Sequence, residues 1–190
     1  MSAVGSTLRT MATVRAGSKG ALVVVDVQVG NVDGAWDADR VVGNVARAVE
    51  RARAAAVPVI WVQHQDKELV RDSPAWEWVP QLVPAEGEAR VFKEYESSFE
   101  RTPLEDELAG LGVSHIALAG AATNWCIRAT AYAALERGYD LTLVADAHTT
   151  GGDAAPHVVE DLNTVMRWVA YADVSSTTAT ADELDFGALA

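Results

Sequence analysis

Three side chains capable of chemistry stand at matching points of this 190-residue sequence. Asp26 ends the apolar run of residues 21–25 (ALVVV), and Lys93 ends a short run over residues 90–92. Cys126 follows the run 115–119 (HIALA) after the turn Gly120-Ala121-Ala122-Thr123-Asn124-Trp125. A thiol at the start of a helix gains from the helix dipole and from nearby amide donors, which favour thiolate over thiol. A lysine alongside would lower its pKa further, an aspartate would accept its proton, and the same amides would hold the oxyanion of an attacked carbonyl. Each residue also has a plainer role. A lone cysteine is a small core residue, a strand-end aspartate a turn former, and a lysine a solvated charge. Spacing alone does not bring the three together.

The elements between them say where they stand. Residues 21–25 are short, unbroken and β-branched, as suits a strand buried on both faces of a parallel sheet. Residues 40–56 carry Val41, Val42, Val45, Ala48, Val49 and Ala52 at helical spacing, with Arg47, Glu50, Arg51 and Arg53 on the polar side. Pro58 stops that helix, and residues 59–62 form the second strand. Residues 63–89 are less regular, a long connection of the kind that shapes a pocket. A strand over 90–92 leads to a helix start in which Thr102 caps, Pro103 takes the first position and Glu105 completes a capping box. Strand 115–119, helix 124–137 closed by Gly138, strand 141–145, helix 154–167 and a last strand over 169–174 follow. Strands alternating with helices predict a three-layer α/β/α, Rossmann-like domain with a mainly parallel sheet of about six strands. In such sheets ligands bind beyond the carboxyl ends of the strands.

Composition narrows the partners. Hydrophobic residues make up 49% and charged residues 22%, an ordinary globular balance. Fifteen Lys and Arg against 27 Asp and Glu leave a net charge of −12, which repels phosphate backbones and anionic lipid. Nucleic acid and membranes are therefore not expected partners, and no apolar run approaches the roughly 20 residues of a membrane helix. Residues 1–19 read as a loose leader without the apolar centre of a signal peptide, and 20–190 as one domain. A cytoplasmic setting is expected. The single cysteine excludes an internal disulfide and a multi-cysteine metal site.

Three blocks, in order, resemble the isochorismatase-like cysteine hydrolases, which include nicotinamidases, N-carbamoylsarcosine amidase, ureidoacrylate amidohydrolases and biuret hydrolases. They are ALVVVDVQ with Asp26 and Gln28, VFKEYESSFERTPLEDEL with Lys93 and Phe99, and LAGAATNWCIRATAYAALERGYDLTLVADA around Cys126. The resemblance implies a triad of Asp26, Lys93 and Cys126, and a cis peptide between Ala121 and Ala122 that aims the Ala122 and Cys126 amides at one oxyanion hole. It implies hydrolysis of a small amide, carbamoyl or ureido compound through a thioester, in a homo-oligomer, without a cofactor. Gln28 of the first block, and Trp125 by its place immediately before Cys126, are the expected substrate contacts.

Departures matter as well. A cysteine at position 126 argues against isochorismatase itself, whose vinyl-ether hydrolysis does not use a cysteine nucleophile. Nicotinamidases hold a metal with an aspartate and histidines after the second strand. Here His64 and Asp66 stand in that region without a second histidine, so no metal site is expected and His64 reads as a pocket wall. His115 reads as structural. Trp36, Trp76 and Trp78 come from loops able to cover the site, whereas Trp61 and Trp168 read as core. Arg128 would pair with a carboxylate substrate or sit at the surface. A different class of function is a thiol redox or interaction protein on the same scaffold. It lacks a resolving cysteine and has no use for Asp26 with Lys93.

Overall fold

The computed structural model of the protein describes Arg15, residues 17–187 and Leu189. Most of the leader expected over 1–19 lies outside the described residues. The elements are β1 (Lys19–Val25), α1 (Val29–Val32), α2 (Ala38–Ala54), β2 (Val59–His64), β3 (Ala89–Lys93), α3 (Leu104–Gly110) and β4 (Val113–Ala121). A π-helical turn (Thr123–Ile127), α4 (Arg128–Glu136), β5 (Asp140–Thr149), α5 (Ala155–Trp168) and β6 (Ser176–Ala179) follow. The strands form one sheet in the order β3-β2-β1-β4-β5-β6, and every neighbouring pair is parallel.

Burial on both faces explains the unbroken apolar strands. Ala21, Val23 and Val25 of β1 face one core with Leu104 and Leu108 of α3, Ala131 and Leu135 of α4, and Leu162 and Met166 of α5. Leu22 and Val24 face the other, against the Val41-Val45-Ala48-Val49-Ala52 stripe of α2 and the C-terminal Leu184, Phe186 and Leu189. Each fully buried Val or Leu contributes roughly 1.5–3 kcal/mol. The central strands are thus packed on both faces, and their ends carry the groups described below.

Three local expectations are corrected. The last strand is β6 at Ser176–Ala179, not 169–174, where Tyr171 and Val174 instead close a tight turn. At an edge, with one neighbour and partial exposure, the polar sequence STTA pairs adequately, so no apolar run marks it. Trp168 is 81% exposed rather than core, because it falls off the α5 stripe formed by Val159, Leu162 and Met166. Helix α3 begins at Leu104 with Pro103 at the cap position and no side-chain cap. Thr102 Oγ1 accepts from Leu104 N at 3.3 Å and donates to Ser98 O, while the Glu105 carboxylate is drawn off by Arg15 and Arg137. Two guanidinium partners outcompete the capping-box amide.

The connection between β2 and β3 folds back onto the segment after β1. Val29 N donates to Glu77 O at 2.9 Å, Gly30 N donates to Ala75 O at 2.8 Å, and Gln28 and Trp78 form an antiparallel bridge. This docking brings residues 64–75 to the carboxyl ends of the strands.

Candidate active site

Strand order reverses between β1 and β4, the point where an open α/β sheet leaves a crevice. Asp26 leaves β1 there, His64 and Lys93 end the adjacent strands β2 and β3 in register, and Cys126 lies in the turn beyond β4. With neighbouring strands about 4.8 Å apart, β3 stands two strands from β1 and three from β4. Only a long side chain rooted on β3 reaches both. Lys93 does: its Nζ is 2.6 Å from Asp26 Oδ2 and 3.2 Å from Cys126 Sγ. It also lies 3.1 Å from His64 Nδ1 and 3.1 Å from Tyr95 O. An ammonium has only donors, so the three N–H bonds are shared among these acceptors and His64 Nδ1 accepts.

The electrostatics are those of buried, opposed charges. Burial raises the Asp26 pKa, and the attraction of Lys93 opposes it without prevailing. Burial works to lower the Lys93 pKa, but Asp26 and Cys126 outweigh it and hold the ammonium above the ordinary lysine value. Burial, joined by the Asp26 charge, pushes the Cys126 thiol up to about 12 against the opposing pull of Lys93. The helix start and the lysine were expected to favour thiolate; desolvation and the carboxylate override them. The resting sulfur is a protonated thiol beside the Asp26 carboxyl group. Both Asp26 oxygens are buried without a hydrogen bond of ordinary angular geometry, so the 2.6 Å ion pair is what compensates the charge.

Local backbone sets these positions. Asp26 turns out of β1 at φ 52, a left-handed conformation that Asp tolerates better than most residues. Its N–H donates to Val62 O at 2.8 Å and its carbonyl accepts from Asn31 Nδ2 at 3.1 Å. Gly120 ends the straight part of β4 at φ +131, and a Cβ there would lie 1.9 Å from Val25 O. Only glycine lets β4 pass this close to β1 just before the turn. The Ala121–Ala122 peptide is cis. Ile127 N then donates to Ala122 O at 3.1 Å, five residues back, which opens the turn into the π form that presents Cys126.

The pocket in front of the sulfur has a volume of about 970 Å³. Asp26, Ala122 and Cys126 form its floor, and His64, Asp66, Glu68, Leu69, Glu96 and Trp125 are among its walls. Residues 20–174, which include all these groups, match the family model described as the isochorismatase domain.

The chain belongs to the isochorismatase family. A streptothricin hydrolase of Streptomyces noursei is 37% identical over 154 residues, covering 77% of this chain and 61% of the relative. The ureidoacrylate amidohydrolase RutB of Methylobacterium radiotolerans is 29% identical over 192 residues, covering 78% of this chain and 74% of the relative. The chain spans 61% and 55% of the lengths of the two streptothricin hydrolases it matches. The solved N-carbamoylsarcosine amidase from Thermoplasma acidophilum shares the isochorismatase-like fold with a TM-score of 0.73 at 24% identity, covering 88% of this chain and 99% of that one.

Set within this isochorismatase-family fold, the residues singled out in the sequence separate into two groups. Asp26, Lys93 and Cys126 meet, Ala122 lies beside them on the pocket floor, and Trp125, 60% exposed, forms a wall. Gln28, expected to touch substrate, is fully buried behind the wall: its amide donates to His64 O and Trp76 O and accepts from His64 N. It pins the β2–β3 connection to β1. Among the loop tryptophans, Trp76 stacks on Phe92, Trp78 packs edge-on against Trp61, and Trp36 lines a separate small cavity. Arg128 is exposed, and His115 bonds Thr142 at 2.8 Å within the sheet. His64 Nε2 faces Asp66 at 3.4 Å, and among the described residues no group of three His, Cys, Asp or Glu is placed to hold a metal. Asn31 and Glu96 were not picked out. Asn31 lies five residues after Asp26, just beyond the block that ends at Gln28, and Glu96 had no signal beyond its nearness to Lys93.

Proposed function

We propose that the protein is a cysteine-dependent amidohydrolase that cleaves a C–N bond of a small amide, carbamoyl or ureido compound. The observation that carries this reading is a buried lysine touching both an aspartate and the chain's single cysteine at the floor of a pocket. The names of the relatives, a streptothricin hydrolase and a ureidoacrylate amidohydrolase, support the bond class.

Asp26 takes the proton of Cys126 as the sulfur attacks the carbonyl carbon, and Lys93 steadies the developing thiolate. The Ala122 and Cys126 amides hold the oxyanion. Asp26 returns the proton to the leaving nitrogen, the C–N bond breaks, and ammonia or an amine departs. The same carboxylate then takes a proton from water, whose oxygen attacks the thioester, and the acid is released with the thiol restored. A thiol held near 12 suits this order, because the thiolate forms only when a carbonyl is present to receive it. It also disfavours the redox reading, since peroxide reacts with thiolate.

The pocket walls carry Asp66, Glu68 and Glu96 against Lys67, so a substrate bearing a positive group is favoured at the mouth. The test is release of ammonia or amine across a panel of neutral, anionic and cationic small amides, ureas and carbamoyl compounds, with Cys126→Ala as the blank. Turnover of at least one member that vanishes in Cys126→Ala is expected. Turnover retained by Cys126→Ala would overturn the assignment.

A further inference from the structure

A second set of buried polar groups lies behind the cysteine and takes no part in the chemistry above. His148 and Thr123 are fully buried and Asn163 nearly so. His148 Nδ1 is 3.0 Å from Thr123 Oγ1, and His148 Nε2 is 3.1 Å from Asn163 Oδ1. The proton positions follow from chemistry. Asn163 Nδ2 donates to Ala145 O at 3.0 Å, which turns the amide oxygen toward the imidazole. An amide oxygen only accepts, so Nε2 carries the proton and donates. Burial keeps the ring uncharged, its pKa held down to about 4, so Nδ1 is a lone pair and the Thr123 hydroxyl donates to it. One directed chain thus runs from Thr123 through His148 and Asn163 to the backbone of β5.

Thr123 opens the π-helical turn that holds Cys126. The next residue of that turn is gripped in the same way: Thr150 Oγ1 donates to Asn124 Oδ1 at 2.6 Å. The consecutive run His148-Thr149-Thr150 at the carboxyl end of β5 also binds Trp36, through Thr149 Oγ1 to Trp36 O and Trp36 N to Thr150 O. On the far side, Ser98 N and Thr130 Oγ1, 3.0 Å apart, fasten the start of α4. A single π turn is rare and occurs mostly at functional sites, and this one is held from outside at two consecutive residues, Thr123 and Asn124.

We propose that His148 is a positioning residue, which through Thr123 holds the turn of Cys126 so that the sulfur stays against Lys93 and Asp26. This inference rests on Cys126 being the reactive thiol. The displacement at stake is small, but a shift of about 1 Å in a reacting group costs about 100-fold in rate.

The test uses near-isosteric changes at the far end of the tether. Thr123→Val keeps the volume and removes the hydroxyl; Thr123→Ser keeps the hydroxyl. Cys126 alkylation by iodoacetamide and turnover of the best amide are measured side by side. Thr123→Val is expected to lower kcat and to change the alkylation rate, each by about 10-fold, with KM within about two-fold of wild type, and Thr123→Ser to restore both. His148→Asn, which puts an acceptor near the Nδ1 position, should retain more activity than His148→Leu. Leu108→Ala, a core truncation remote from the tether, controls for stability and should leave both rates unchanged at a temperature where it is folded. Wild-type alkylation and kcat in Thr123→Val, or Thr123→Ser no better than Thr123→Val, would overturn the proposal. If no amide turns over, alkylation alone still decides it, so its failure is distinct from failure of the amidase reading.

Discussion

Lys93 and Asp26 form an ion pair with both side chains at 0% exposure and 2.6 Å between Nζ and Oδ2. Such a pair is a weak source of stability, because desolvating two charges costs about as much as their attraction returns. Its value lies in what it does to the third group. The ammonium opposes the rise that burial imposes on the Asp26 pKa, and so favours the ionised form that the proposed proton transfer from Cys126 needs. The two charges pull the thiol in opposite directions, and that opposition makes the role of each separable.

Asp26→Asn is expected to affect turnover and alkylation with opposite signs. Loss of the proton-transfer group lowers turnover by about 10²–10⁴. Loss of its negative charge removes one of the causes that raise the thiol pKa, so Cys126 alkylation at pH 8 becomes faster. Parallel assays on the same preparation read both. Turnover within a few-fold of wild type would end the assignment of Asp26.

In the wild-type protein, alkylation of Cys126 should keep climbing with pH, about tenfold per pH unit from 7 to 10, without levelling off. The thiolate is the reacting form and its pKa is held near 12 by burial and the Asp26 charge. A plateau near neutral pH would show a thiolate already formed at rest.

Gly120→Ala should destabilise the fold by more than about 3 kcal/mol, since the new methyl would meet Val25 O at 1.9 Å on a backbone at φ +131. Gly110→Ala, where an added methyl carbon would have nothing within 4 Å, should be neutral or stabilise by up to about 1 kcal/mol at the end of α3. Urea midpoints of the two variants check the contrast. Equal midpoints would mean that β4 can move away from β1 freely.

Acid should weaken the fold through His148. Its folded pKa of about 4 lies below the ordinary 6.5, so between those values the unfolded chain binds a proton that the folded chain does not. The stability is fully present above about pH 6.5 and is lost as pH falls through about 4, a loss of about 3 kcal/mol. Asp146 of β5 and Glu160 of α5 draw the charge in, and Arg40 of α2 shares the small cavity they line. Urea unfolding at pH 7 and pH 4.5 should show a smaller difference in His148→Asn than in wild type. An identical difference in both would place the titration elsewhere.

Glu96→Gln should raise KM for a cationic amide by about 2- to 5-fold and leave a neutral amide unchanged, with the gap closing in high salt. Glu96 is an exposed carboxylate on the pocket wall, so its effect is one of attraction at a distance. Equal changes for both substrates would point to a steric role.

Local chemistry was legible along the chain. The apolar runs marked the four inner strands because strands buried on both faces tolerate little else, and the α2 stripe was plain because one face of that helix is buried. Asp26 and Lys93 stood out because each ends a strand run, and Cys126 because it follows one through a turn at the start of a helix. The edge strand β6 and Trp168 were misread because edge pairing and a helix end make few demands on residue type.

The sequence by itself determined the layered parallel fold, the strand ends and the kinds of group they carry, since burial on two faces and turn geometry are local constraints. Tertiary structure decided the rest. It alone brought Lys93 across the sheet, buried Gln28 behind the pocket wall and joined His148 to Thr123. It also pushed the Cys126 thiol, expected to favour thiolate, up to about 12, because desolvation depends on everything packed around a group and no spacing along the chain records it.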